Sequence, residues 1–197
     1  MCSVSTMLRQ NGLEKGVNLE RIPFDSWRTH QGHVYRYELA SKYIFQNETV
    51  LDVACGIGYG AKLIDEHINV QYIGVDKVKP DPEFIGLGKW KSGVDLNKWF
   101  PDFTFDVAIC IETLEHLANP KHLVAHLKQA KRLIFVSVPT RPTMHMNPFH
   151  LHDFTVDEVI QLFDGHELMH IEDQPEELSH IFVFAGKGTS GLVSQRL

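Results

Sequence analysis

The feature that most constrains this chain is an apolar strand that ends in glycine. TVLDVAC (49–55) runs straight into Gly56-Ile57-Gly58-Tyr59-Gly60, and AKLIDEH (61–67) restarts as a helix. Glycine at such a turn reaches positive φ and lets the backbone approach a ligand closely. Strand, glycine turn and helix, in that order, open a βαβ unit.

The pattern around it repeats. Residues 27–45 read as a helix, because Val34, Tyr37, Leu39, Ala40, Tyr43 and Ile44 recur at spacings of three and four. VQYIGVD (70–76) predicts a second strand, KSGVDL a short third and FDVAICI (105–111) a fourth. Residues 119–132 predict a helix with Asn119 as cap and Pro120 in its first position. RLIFVSVP (132–139) predicts a fifth strand. Thr155, with Glu158 three residues on, writes a capping box at the head of a helix over 155–163. HELMHIED and SHIFVFAG predict two last strands around a turn at Pro175. This alternation implies an α/β, Rossmann-like doubly wound sheet, mostly parallel and seven-stranded, with an antiparallel edge hairpin. The expected organisation is an N-terminal arm (1–29), one ligand-binding domain (30–187) and a flexible tail (188–197).

Composition narrows the partners. A chain of 197 residues suits one domain. Its formal charge is −6, with 12 histidines against 19 lysines and arginines, so it is a poor candidate for non-specific binding of long nucleic acids, which wants a basic face, though a local patch could still take a nucleic-acid end. Cys2, Cys55 and Cys110 form no disulfide framework and no CxxC pair, which fits a reducing, cytoplasmic setting. No apolar run approaches the roughly 18 residues of a membrane span, and the N-terminus lacks a signal-peptide core.

The glycine turn by itself is ambiguous. With Ala61 last it even satisfies the dinucleotide pattern. Asp76 ends the second strand twenty residues beyond Gly56, where an acid receives two ribose hydroxyls. Asp52 lies inside the first strand, and a carboxylate there suits an ammonium-bearing ligand rather than a pyrophosphate. Ligands in such sheets sit beyond the carboxyl ends of the strands, where Gly56–Gly60, Asp76, Asp95 and Glu112 all fall.

With these motifs in order, the chain resembles the class I S-adenosylmethionine (SAM)-dependent methyltransferases. VLDVACGIGYG matches their first motif, YIGVD the second, GVDL the third and FDVAICIETLEHL the fourth. It is similar to the small-molecule and sugar branch, including ubiquinone-pathway O-methyltransferases. That branch carries H-x-x-R-Y-x-x-A before the first strand (His33, Arg36, Tyr37, Ala40) and N-P-x-H after the fifth (Asn147, Pro148, Phe149, His150). The resemblance covers roughly residues 30–163. It implies SAM as cofactor, with Gly56 and Gly58 at its methionine moiety and Asp52 close by. It implies Asp76 on the ribose, Asp95 and Leu96 at the adenine, and Ile111 or Glu112 beside the sulfonium. Arg36, next to two tyrosines, suits an anionic or polyhydroxylated acceptor, or the SAM carboxylate itself. The helix over 27–45 is expected as a lid, with Tyr35 and Tyr37 near the acceptor. Two departures stand out. The stretch from Asp76 to Asp95 is short and Pro-rich, so its helix is expected to be stunted. The glycine pair before the fifth strand is missing.

Glu112, Glu115 and His116 lie on one short segment, at spacings that make Glu112 a neighbour of both others on a helical turn. In one reading, Glu115 and His116 only orient the loop. In the other, Glu112, Glu115, His116 and His150 hold a divalent ion such as Mg, Mn, Zn or Fe. Ubiquinone-pathway enzymes, and those that modify the terminal ribose of small RNAs, look similar here. His116 and His150, with Glu115, are the candidate catalytic residues, because an unperturbed imidazole titrates near neutrality. The expected reaction is methyl transfer to a hydroxyl of a sugar or other small metabolite, with a small-molecule or glycan partner. The alternatives are methylation of a nucleic-acid end and a non-catalytic SAM-binding partner subunit. A nicotinamide oxidoreductase has no use for Asp52 or the ExxEH segment.

Overall fold

The computed structural model describes residue 22 and residues 26–189. Most of the expected arm, and the tail from residue 190 on, lie outside the described residues.

The sheet contains β1 (Thr49–Val53), β2 (Gln71–Val75), β3 (Lys89–Lys91), β4 (Val107–Ile111), β5 (Leu133–Pro139), β6 (Leu168–Gln174) and β7 (Ser179–Ala185). Their order across it is β3-β2-β1-β4-β5-β7-β6. The first five in that order pair in parallel; β7 runs antiparallel to β5, and β6 antiparallel to β7. Every residue of β4 and β5 is buried, as expected for central strands covered on both faces. The helices are α1 (Gln31–Tyr43), α2 (Tyr59–Asp65), α3 (Pro120–Leu127) and α4 (Val156–Leu162). α1 and α2 pack on the face that carries Val50, Val107 and Ile109. α3 and α4 pack on the opposite face, with Leu51, Val53 and Ala108. The doubly wound sheet and its antiparallel edge pair are therefore as the sequence predicts.

Two local stops explain where elements end. Asn119 accepts the His122 N–H at 3.4 Å at the head of α3, and Pro120 occupies the first turn without losing a bond. At α4, Thr155 and Glu158 bond each other's backbone N–H groups, a capping box that contributes roughly 1 kcal/mol.

Three segments differ from expectation. The helix over 27–45 divides into a 3-10 turn, Trp27–Thr29, and α1. α3 stops at Leu127, and Lys131 and Arg132 already bond Phe105 and Asp106 on the way into β5. The third strand is Lys89–Lys91, not KSGVDL. Trp90 sets this register: its ring lies 5.4 Å from Tyr72 and fills the space over Gly74 and Gly58. Gly93 then turns at φ +76° and takes Val94 and Asp95 out of the sheet. Between Asp76 and Asp95 the only helical element is a 3-10 turn, Ile85–Leu87, beyond Pro80 and Pro82, so the expected stunting of the helix holds.

Candidate active site

The chain goes from β1 outward through β2 to β3, then returns to place β4 on the other side of β1. That reversal opens a crevice at the carboxyl ends of β1 and β4, the switch point at which open α/β sheets bind ligands. A cleft of about 1460 Å³ lies there.

The half over β1–β3 is built around the glycine turn. Asp76 accepts the Gly56 N–H at 2.8 Å on Oδ2 and the Val78 N–H at 2.9 Å on Oδ1. Its carboxylate therefore fixes the turn against the end of β2 while lining the cleft. Gly56 sits at φ +57°, and the place a Cβ would take is open space. Asp95 and Leu96 line the same half. Two donors from Asn97, its backbone N–H foremost, hold the exposed Asp95 carboxyl below the usual range. Ile111 and Glu112 line the centre. These residues leave a concave, partly apolar surface with an acid at each end, which fits a nucleoside carrying a charged side chain.

Three residues named from the sequence for the cofactor stand behind the wall. Gly58 caps α2 at φ +98° and is covered by Trp90. Asp52 is wholly buried on the Val50 face of β1, under α1. Its Oδ2 accepts the hydroxyls of Tyr37, at 2.9 Å, and Tyr72, and burial pushes its carboxyl up to about 7. Arg36 is 0% exposed. Its Nε donates to Gln174 Oε1 at 2.7 Å, and its Nη2 lies 3.6 Å from Glu112 Oε1 and 4.0 Å from Glu177 Oε2. Tyr35 is 38% exposed and bonds Glu172, away from the cleft; Tyr37 and His33 do line it. His33 Nδ1 lies 3.0 Å from the Tyr59 hydroxyl, and burial, with Arg36 and His30 nearby, lowers its pKa to about 3.

The half over β4, β5 and β7 carries the histidine–carboxylate group. One ligand atom each from Glu115, His116 and His150 lie within 4.8 Å of one another. The two imidazoles meet edge to face, with ring centroids 4.7 Å apart. His116 donates through Nδ1–H to the Phe149 carbonyl at 3.1 Å, which turns Nε2 toward Glu115 Oε1, 3.7 Å away. His150 Nδ1 bonds Thr143 Oγ1 at 2.7 Å. Asp153 accepts the Thr143 N–H at 2.7 Å and the Met144 N–H at 3.0 Å, and the Thr143 hydroxyl faces it at 3.5 Å. With the Thr143 hydroxyl directed at Asp153, His150 Nδ1 is the donor and Nε2 is left as the basic nitrogen. Burial and the His116 ring lower the His150 pKa to about 4, so it is a neutral imidazole at pH 7. Glu115 is 0% exposed and neither carboxylate oxygen has a hydrogen bond. Burial, then the Glu112 charge, push its carboxyl well above the ordinary value.

Glu112 does not join this group. At φ +44° it turns its carboxylate onto Ser137 Oγ at 2.9 Å and Ser179 Oγ at 3.0 Å. The donor set that fits a divalent ion is thus Glu115 with the imidazoles of His116 and His150, each held through a hydrogen bond at Nδ1. Thr143, Asp153, Ser137 and Ser179 have no signal in the sequence: the first two act through the fold of one irregular loop, and the serines through Glu112 at the end of β4. His152 bonds the Leu117 carbonyl at 2.8 Å and lines a separate groove behind the loop.

Comparisons with known proteins agree with this fold. A family described as "Methyltransferase domain" matches residues 31–174. No curated protein matches. Among solved structures, the chain is similar to 1,6-didemethyltoxoflavin-N1-methyltransferase of Burkholderia thailandensis, crystallised with 1,6-didemethyltoxoflavin and S-adenosylhomocysteine. Identity is 14%, the TM-score 0.64, and coverage 80% of each chain. Magnesium protoporphyrin IX methyltransferase of Synechocystis, with bound S-adenosylhomocysteine, is 13% identical at a TM-score of 0.61, over 84% of this chain and 88% of that one. The cyclase SpnF is 14% identical at 0.63, over 79% and 81%. At these identities the likeness shows the fold. Among the described residues, no helix is long and apolar enough to cross a membrane.

Proposed function

The chain belongs to the methyltransferase-domain family, as a class I SAM-dependent enzyme, and from that premise we propose that it methylates a hydroxyl of a sugar or other small metabolite. The catalytic unit in this reading is residues 30–187, with 1–29 an arm and 188–197 a tail, in a cytoplasmic setting. SAM supplies the electrophilic methyl group. Gly56, Asp76, Asp95 and Leu96 in the β1–β3 half of the cleft, with Ile111 at its centre, would hold it. Asp52, Gly58 and Arg36 support that half from behind. The enzyme's main task is to hold donor and acceptor in line.

The observation that carries hydroxyl chemistry is the His150 relay. Thr143 and Asp153 hold the neutral His150 imidazole in the wall of the cleft. A hydroxyl acceptor must lose its proton as it attacks, and His150 Nε2 takes it. Glu115 lies beside the imidazolium that results. His150→Ala should lower kcat at least a hundredfold while calorimetry shows SAM affinity unchanged. Near-wild-type turnover would remove His150 from the mechanism.

A metal-assisted reading is favoured by one observation, the unbonded Glu115 carboxylate. In it Glu115, His116 and His150 hold a divalent cation, which would polarise the acceptor oxygen. Metal analysis and chelation of protein purified without a His tag test it; full activity with no bound metal sinks it. The alternatives of a nucleic-acid end and a non-catalytic subunit keep the donor half and differ only here. A non-catalytic subunit has no need of a relay.

A further inference from the structure

The acceptor half of the cleft is lined by carboxylates, and little on its surface offsets them. Glu112, Glu115, Glu176 and Glu177 all line it. Lys77 also lines the cleft, but on the donor half, directly after Asp76. Arg36 answers part of the charge from behind the wall, shared between Glu112 and Glu177. Glu176 and Glu177 hang from the turn between β6 and β7. Glu177 reaches over the start of α1, so that a Cβ on Gly32 would fall 2.4 Å from its Cδ. The turn and the helix thus meet over this half and limit the size of what enters.

An independent observation points to a ligand. Glu115 is fully buried, lines this same half, and has no hydrogen bond on either oxygen. A carboxylate taken out of water without donors is costly unless a bound cation or donor answers it. An anionic acceptor would add repulsion at Glu112, Glu176 and Glu177.

We propose that the acceptor is a small, phosphate-free molecule carrying a protonated nitrogen near the hydroxyl that is methylated. This rests on the hydroxyl reading above and names its substrate class. The carboxylates keep the nitrogen as an ammonium, which has no lone pair to offer, so the oxygen is the nucleophile. The oxygen–carbon bond forms as the carbon–sulfur bond breaks with its electron pair going to sulfur. The hydroxyl proton passes to His150 Nε2, and the product leaves with S-adenosylhomocysteine.

The test is transfer from labelled SAM to three matched sets: amino sugars and amino alcohols, the corresponding neutral sugars and polyols, and sugar phosphates. The amine set should lead the neutral set at least tenfold in kcat/KM, with no transfer to the phosphates. The Glu176→Gln, Glu177→Gln double variant should raise KM for the amine acceptor at least fivefold and leave kcat and Tm nearly unchanged. Phosphates methylated as well as their amine counterparts overturn the proposal, as does an unchanged KM in the double variant. If calorimetry shows SAM bound and no set is methylated, the hydroxyl reading itself falls, and this inference with it.

Discussion

Asp52 shows how far a residue's chemistry depends on the face it occupies. Strand residues alternate, so Asp52 shares the side of Val50 and lies under α1 rather than in the cleft. Two tyrosine hydroxyls satisfy one oxygen, the other has no partner, and burial raises its pKa to about 7 from 3.8. An acid whose folded pKa is raised contributes its full share of stability below pH 3.8. That share falls away as pH rises toward about 7 and is gone above it. His33 works in the opposite sense. Its folded pKa is lowered to about 3 from 6.5, so its contribution stands above pH 6.5 and fades as the pH drops toward 3. Asp52→Asn keeps an oxygen for both tyrosines and removes only the acid's slope. Denaturation between pH 4 and pH 8 should show the variant losing less stability than wild type on going to pH 8, by a few kcal/mol at most. Parallel curves would mean that Asp52 is not the buried acid.

The loop over 140–154 makes the same point at the scale of an element. Its inner side carries Thr143 and His150 to the cleft, and its outer side lines the groove against α3 and α4. Asp153 ties the two arms together by accepting two backbone N–H groups. If Thr143 positions His150, Thr143→Val should lower kcat about tenfold with KM and SAM affinity held, and Thr143→Ser should restore it. A variant that loses SAM affinity in step with kcat would instead show a merely structural loop. The Asn-Pro-x-His spelling made this loop visible in the sequence, as the glycine turn, the capping box and the last hairpin were visible from their own local chemistry. The β3 register was not, because it is set by Trp90 packing on Tyr72, Gly74 and Gly58, contacts made across the sheet. The ExxEH spacing suggested one four-residue group, yet positive φ at Glu112 sends that side chain to Ser137 and Ser179 instead. Spacing fixes which residues share a turn; it does not fix which hydroxyls from other strands compete for them.

At the scale of the whole molecule, the glycine turn that opens the fold suits two nucleotide chemistries, and the rest of the sheet chooses between them. Asp76 already accepts the Gly56 N–H of the turn on one carboxylate oxygen and the Val78 N–H on the other, and the wall beyond β4 is carboxylate-rich. A dinucleotide would bring two phosphates into a molecule of net charge −6, whereas SAM brings a sulfonium and an ammonium. Ligand linkage turns this into a measurement. A ligand at a hundred times its Kd stabilises the folded state by about 2.7 kcal/mol. For a chain of this length each kcal/mol raises Tm by roughly 2–4 °C. SAM and S-adenosylhomocysteine at that saturation should therefore each raise Tm by roughly 5–10 °C. NAD at the same concentration should raise it by less than about 1 °C, because its two phosphates would meet an acidic cleft in a chain of net charge −6. Asp76→Ala should abolish the SAM shift, since that substitution frees the Gly56 turn as well as removing the carboxylate at the cleft. Stabilisation by NAD alone would overturn the assignment of the cleft. Stabilisation by SAM that survives Asp76→Ala would move the ribose contact to another residue of the same wall.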